Sequence, residues 1–165
     1  YYWLARSVGR VIMENIDIIF SRSNLVFSKA VRRYTHSEWS HGGILINSGT
    51  VLESTFSHRG VKLASLDDFK SRATATRIVS VAVPNRAAAI HAGMAQINKP
   101  YDYTAIAGIL ANKRNWQEDD MWFCTELCAF VVQSGGALYF PPADIPLITP
   151  QRLLVALSKP CPKYA

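Results

Sequence analysis

The stretch from Trp39 to Glu53 constrains the fold more than any other part of the chain. Two apolar runs, Ile44-Leu45-Ile46 and Val51-Leu52, flank Asn47-Ser48-Gly49. That composition suits a β-hairpin with a three-residue loop whose last position needs a positive φ and takes glycine. In that register Ile46 pairs with Thr50 and Glu53 falls opposite Gly43. Side chains alternate faces along a strand, so Glu53 then shares a face with His41, one diagonal step away. A two-residue loop at Ser48-Gly49 sends Glu53 to the opposite face instead. Whether this hairpin can join a carboxylate to an imidazole therefore depends on its register.

The rest of the chain must supply a sheet for the hairpin to join and helices to cover it. Ile16-Asp17-Ile18-Ile19-Phe20 is β-rich and reads as a strand, and Ser23 or Asn24 is placed to cap a helix through about Arg33. After the turn-forming Ser57-His58-Arg59-Gly60, Val61-Lys62-Leu63 alternates as a third strand, and Leu66-Asp67-Asp68-Phe69 reads as a single helical turn. Thr76 to Val83 is a further strand, closed by Pro84-Asn85. Arg86 to Ile97 is helical in composition up to Asn98-Lys99-Pro100, and Tyr101 to Ala111 reads as a looser second helix. A polar loop over Asn112 to Asp120 leads into the apolar, helix-length run Met121 to Ser134, with Gly135-Gly136 available for a left-handed cap. The segment holding Pro141, Pro142, Pro146 and Pro150 is expected to be extended, with Gln151 to Leu157 as a last helix. These elements predict an α+β fold, an antiparallel sheet packed against helices. With 165 residues and 49% hydrophobic content, one domain over residues 1–165 is expected.

Charge and cysteine count narrow the function classes. The net charge of +6 is spread between Arg6 and Lys163 without a basic cluster carrying interleaved aromatics, so we expect no nucleic-acid partner. Charged residues interrupt every apolar stretch before it reaches the roughly 18 residues of a membrane span. Tyr1 to Met13 has approximately helical apolar spacing with Arg6 and Arg10. It reads as an amphipathic helix that covers a core edge, with peripheral membrane contact as the alternative. Cysteines at 124, 128 and 161 do not make a disulfide framework and suit a reducing compartment, so a bacterial cytoplasm is favoured. Residue 1 is Tyr, so the natural start is not visible and export stays open. A monomer is expected.

Cys124 lies near the front of the Met121–Ser134 helix. A thiol at a helix N-terminus beside an imidazolium can become a thiolate at neutral pH. Cys124 as nucleophile, His41 as proton shuttle and Glu53 as the group orienting the imidazole would form a triad, with the Cys124 backbone N–H available to an oxyanion. On spacing alone a buried, inert cysteine is the commoner outcome. A zinc set of His36, His41, Cys124 and Cys128 is disfavoured, because Cys-x3-Cys inside a helix is not a usual zinc spacing, and no metal or other cofactor is expected. Glu126, in the first helical turn, suits a capping role.

Several runs, in order along nearly the whole chain, resemble the circularly permuted NlpC-type, papain-like amidases of the YiiX/YebB-like branch. They are Asp17-Ile18-Ile19-Phe20, Trp39-Ser40-His41-Gly42-Gly43, Glu53, Lys99-Pro100-Tyr101-Asp102-Tyr103, Phe123-Cys124-Thr125-Glu126-Leu127 and Ile148-Thr149-Pro150-Gln151-Arg152-Leu153. In that family the histidine strand precedes the cysteine helix, reversing the ordinary papain-like order. The resemblance implies a papain-like α+β core with Cys124 as nucleophile, His41 as base and Glu53 as the third polar residue. It also suggests that Tyr101 or Tyr103 lines the substrate cleft, with a plain packing role as the alternative. Trp39 is a further substrate-binding candidate. The implied reaction is thiol-dependent, metal-independent hydrolysis of an amide in a peptide, cell-wall or lipid-derived substrate. Acyl transfer to lipid, as in the lecithin:retinol acyltransferase branch, and a non-catalytic module binding wall or lipid fragments are the alternatives. Two positions depart from the family pattern: Ile16 stands before Asp17 where a Gly-Asp pair is common, and Thr125 follows the cysteine where Ser is usual.

Overall fold

The computed structural model describes residues 12–101, 122–141, 144–145 and 148–161. The amphipathic reading of Tyr1–Met13, the helix expected over Tyr101–Ala111 and the polar Asn112–Asp120 loop fall largely or wholly outside these residues. Among the described residues five strands form one antiparallel sheet, in the order β4-β3-β2-β1-β5: β1 (Glu14–Arg22), β2 (His41–Asn47), β3 (Thr50–Thr55), β4 (Gly60–Ser65) and β5 (Ala75–Val83). The helices are α1 (Val26–Tyr34), α2 (Leu66–Ser71), α3 (Arg86–Met94), α4 (Cys124–Ser134) and α5 (Pro150–Leu157). The mixed α+β architecture read from the sequence is the one observed.

The two faces of the sheet are covered unequally. Ile16, Ile18 and Phe20 of β1, Ile44 of β2, Leu52 of β3 and Val81 and Val83 of β5 point to one face. They pack with Ala89 of α3, with Leu127, Cys128, Val131 and Val132 of α4, and with Leu153, Leu154 and Leu157 of α5. The alternate residues Ile19, Leu45 and Val51 meet Phe69 of the short α2 on the other face. Period-two alternation thus divides the strands between a thick core and a thin one. Gly42 and Gly43 let both layers close in. A Cβ on Gly42 would stand 3.4 Å from the Cys128 sulfur, and one on Gly43 would stand 2.6 Å from Val51 Cγ1 and 3.3 Å from the Phe69 ring.

The left-handed position expected at Gly135-Gly136 is taken by Gly136, while Gly135 keeps a negative φ. Local details depart from expectation in two places. α1 starts after Leu25 with no side-chain cap; the Ser28 hydroxyl accepts the Ser23 N–H and pairs with Ser40. In the proline-rich stretch the described residues are not simply extended: the Asp144 N–H bonds the Pro141 carbonyl and the Ile148 N–H bonds that of Ile145.

Candidate active site

The hairpin register is settled by a bulge. Asn47 pairs with Thr50, so the loop is the two-residue one, but Ile46 is the extra residue of a β-bulge and the ladder resumes with Leu45 opposite Val51 and Ile44 opposite Leu52. Continued by one residue, this register sets Glu53 opposite Gly43 and on the face of His41, as the longer loop would have done. His41 opens β2 and Glu53 lies inside β3. His41 Nε2 stands 2.8 Å from Glu53 Oε2, with the Glu53 side chain fully buried and a fifth of the imidazole exposed.

α4 brings the third group. Cys124 is its first residue, after Trp122 has bridged Tyr101 in parallel and the Phe123 N–H has been taken up by the Glu126 carboxylate at 3.3 Å. Glu126 therefore does the capping expected of it. The Cys124 side chain is close enough to His41 to act on its protonation. Nε2 bonds Glu53, so in a catalytic pair Nδ1 is the nitrogen that would serve the sulfur. Burial works against a charged imidazole, but the Cys124 sulfur and the Glu53 carboxylate outweigh it and hold the His41 pKa at about 10. Burial also opposes charge on Glu53, yet His41 and Arg72 keep its carboxyl below the ordinary range. One helical turn along, Cys128 faces the main core, where burial and the neighbouring Cys124 push its thiol well above the ordinary range.

The remaining candidates are distributed differently. Tyr101 is buried in a cluster with Phe123 and Cys124, edge-on to Phe123 at 6.1 Å and to the half-exposed Phe56 at 6.2 Å. Trp39 is buried in the main core, and the Arg22 guanidinium lies 5.8 Å from its ring centre. Tyr103 lies outside the described residues. His36 is exposed at a left-handed position after α1. Among the described residues no three His, Cys, Asp or Glu side chains gather as a metal site. Two site residues were not legible in the sequence. The His41 ring stacks on Phe69 at 5.5 Å and 26°, and Arg72 Nη2 reaches Glu53 Oε1 at 2.6 Å. Arg72 follows α2, where a basic residue has an ordinary explanation in the helix dipole, so nothing marked it.

With this geometry in hand, comparison with known proteins is decisive on family. The model of the permuted papain-like amidase enzymes, the YaeF/YiiX or C92 family, matches residues 13–136, a span holding the His41 strand, Glu53 and the Cys124 helix in that order. The chain belongs to this family. Its members are hydrolases of the papain-like kind, and the order of strand and helix here is the permuted one. A solved structure titled metalloprotein yiiX from Escherichia coli O157:H7 is similar, with a TM-score of 0.50 and 24% identity over 74% of this chain. The likeness extends over 66% of that protein's length and bears on the fold. No curated protein matches.

Proposed function

We propose that the protein is a cysteine amidase in which Cys124 is the nucleophile, His41 the proton carrier and Glu53 the residue orienting the imidazole. The observation that carries this reading is the pairing of a fully buried Glu53 with His41 Nε2 at 2.8 Å, on an imidazole whose protonation also responds to Cys124. A carboxylate so placed selects the tautomer and stabilises the imidazolium, and the positive end of α4 favours negative charge on the sulfur.

In the reaction this predicts, the thiolate attacks the amide carbonyl carbon and the oxygen takes the negative charge. The Cys124 backbone N–H stands at the head of α4, where amides have no intrahelical acceptor, and can donate to that oxyanion. The carbon–nitrogen bond breaks as the imidazolium gives its proton to the departing amine, leaving an acyl-cysteine. Neutral His41 then takes a proton from water, the hydroxide adds to the thioester, and the acid leaves as the thiolate–imidazolium pair is restored. Peptide, cell-wall and lipid-derived amides all suit this chemistry. The word metalloprotein belongs to the E. coli structure. The donor set here does not fit a metal, since both Glu53 oxygens are engaged by His41 and Arg72, so no step passes through one.

The test is intact-protein mass spectrometry during turnover of a panel of acyl amides, with water and with added lipid alcohols as acceptor. We expect an acyl adduct mapping to Cys124 in the wild type and none in Cys124→Ala. Product release by Cys124→Ala at the wild-type rate would overturn the assignment. Product formed only with the lipid alcohol would convert hydrolysis to acyl transfer.

A further inference from the structure

We propose that Arg72 is a positioning residue of this site, pinning one oxygen of Glu53 so that the other is presented to His41. The inference rests on the roles given above to His41 and Glu53, and its geometry is separate from theirs. Arg72 Nη2 reaches Glu53 Oε1 at 2.6 Å and Asp68 Oδ2 at 3.2 Å. Its guanidinium also lies over the Phe69 ring, 5.6 Å from the centre, while His41 stacks on that same ring. One six-residue helix, capped by the Ser65 hydroxyl on the Asp68 N–H, and the arginine that follows it thereby supply the shelf beneath the imidazole and the clamp on its carboxylate.

The physical need for a clamp is specific. The terminal torsion of a glutamate side chain is broad, so a carboxylate with only one partner can turn and carry that partner with it. A guanidinium on Oε1 removes this freedom and leaves Oε2 in the plane that His41 Nε2 requires. A fixed positive charge also keeps Glu53 ionised in a fully buried position. The charged and titratable groups around Glu53 are His41 from β2, Lys62 opposite it in the β4 register, and Arg72 with Asp68 from α2, with Cys124 beyond the imidazole. Of these, His41 and Arg72 make the ion pairs to Glu53, so losing Arg72 leaves the carboxylate dependent on the imidazolium it is meant to orient.

The experiment compares wild type, Arg72→Met and Arg72→Lys by nitrogen-15 NMR of the His41 ring over a pH titration, with melting temperatures recorded alongside. Methionine retains a stem to cover Phe69 and removes the charge; lysine restores charge without the planar fork. In Arg72→Met, Glu53 should take up its proton at a pH higher by about 1–3 units, read as an upward move of the acid inflection on the His41 Nε2 signal. The bonded Nε2–H resonance should broaden. Arg72→Lys should recover most of the inflection and less of the sharp resonance. Arg72→Gln, which removes the charge and keeps a polar stem, should move both in the same direction as Arg72→Met, and it serves if Arg72→Met does not fold. A fall in melting temperature with an unchanged inflection and resonance would overturn the proposal, leaving Arg72 as a fastener of α2. A His41 titration indifferent to Cys124→Ala would count against the nucleophile assignment alone, because the Arg72 effect is read on the Glu53–His41 pair.

Discussion

The two faces of the central sheet are built from alternate residues of the same strands and do different work. On the α4 side, Ile18, Phe20, Ile44 and Leu52 meet Leu127, Cys128 and Val131 in an apolar core. On the α2 side a small cluster of Ile19, Leu45, Val51 and Phe69 adjoins the charged set Arg72, Glu53 and His41. Cys124 and Cys128 mark the boundary: one turn apart on α4, the first is close enough to His41 to act on its protonation and the second is sealed in the main core. An apolar layer is thus separated from a charged one, and the proposed chemistry lies with the charged one. The thick face should hold the fold at any moderate pH, whereas the thin face should be felt through its charges.

The largest effect expected is from Glu53→Ala, which strands the His41 and Arg72 charges and should cost about 3–5 kcal/mol at neutral pH. In the wild type the sign of the pH dependence follows from the two directions of shift. His41 is raised to about 10, so its contribution is whole below its unfolded value of roughly 6.5 and is lost as pH climbs through about 10. Glu53 is lowered, so its contribution is present above the unfolded carboxylate value of roughly 4.3 and disappears as pH falls through the folded one. Denaturant melts across pH should therefore show greatest stability between about pH 4.5 and 6.5. Glu53→Ala should flatten that dependence.

Next in size is Leu127→Ala on the opposite face, which should cost roughly 2–5 kcal/mol through the cavity it leaves. Its loss should be the same at every pH in that series. A Leu127→Ala penalty that tracks pH like the Glu53 one would break the division between faces.

The smallest pair of substitutions sharpens it. Gly43→Ala drives a Cβ to 2.6 Å from Val51 Cγ1, on the thin face, and should cost about 1–3 kcal/mol. Gly42→Ala meets the Cys128 sulfur at 3.4 Å, ordinary contact, and should cost under about 1 kcal/mol. Thermal melts of the two, side by side, check the ordering.

How much of this was readable without coordinates depended on the range of the interactions involved. The strands of the sheet and the helix carrying Cys124 follow from periodicity and turn residues, which are local. The pairing of His41 with Glu53 was legible only as a choice between two registers. The outcome combined the shorter loop with a bulge at Ile46, and a single unpaired residue leaves no mark in composition. Arg72 and Phe69 were not legible as site residues, since their importance comes from where α2 docks after β4. Trp39, expected at a cleft, sits in the core instead of joining the cluster around Cys124, because its place is set by packing against β1 and Arg22.

The central claim is that His41 and Cys124 act as a pair on the boundary between the faces. The most direct measurement is the rate of iodoacetamide modification of each cysteine, read by peptide mass spectrometry between about pH 5 and pH 9 in the wild type and in His41→Ala. The account predicts that Cys124 reacts first and fastest, ahead of Cys128 and Cys161. His41→Ala should remove that advantage. Equal, slow labelling of all three cysteines, or a Cys124 profile unchanged by His41→Ala, would contradict it.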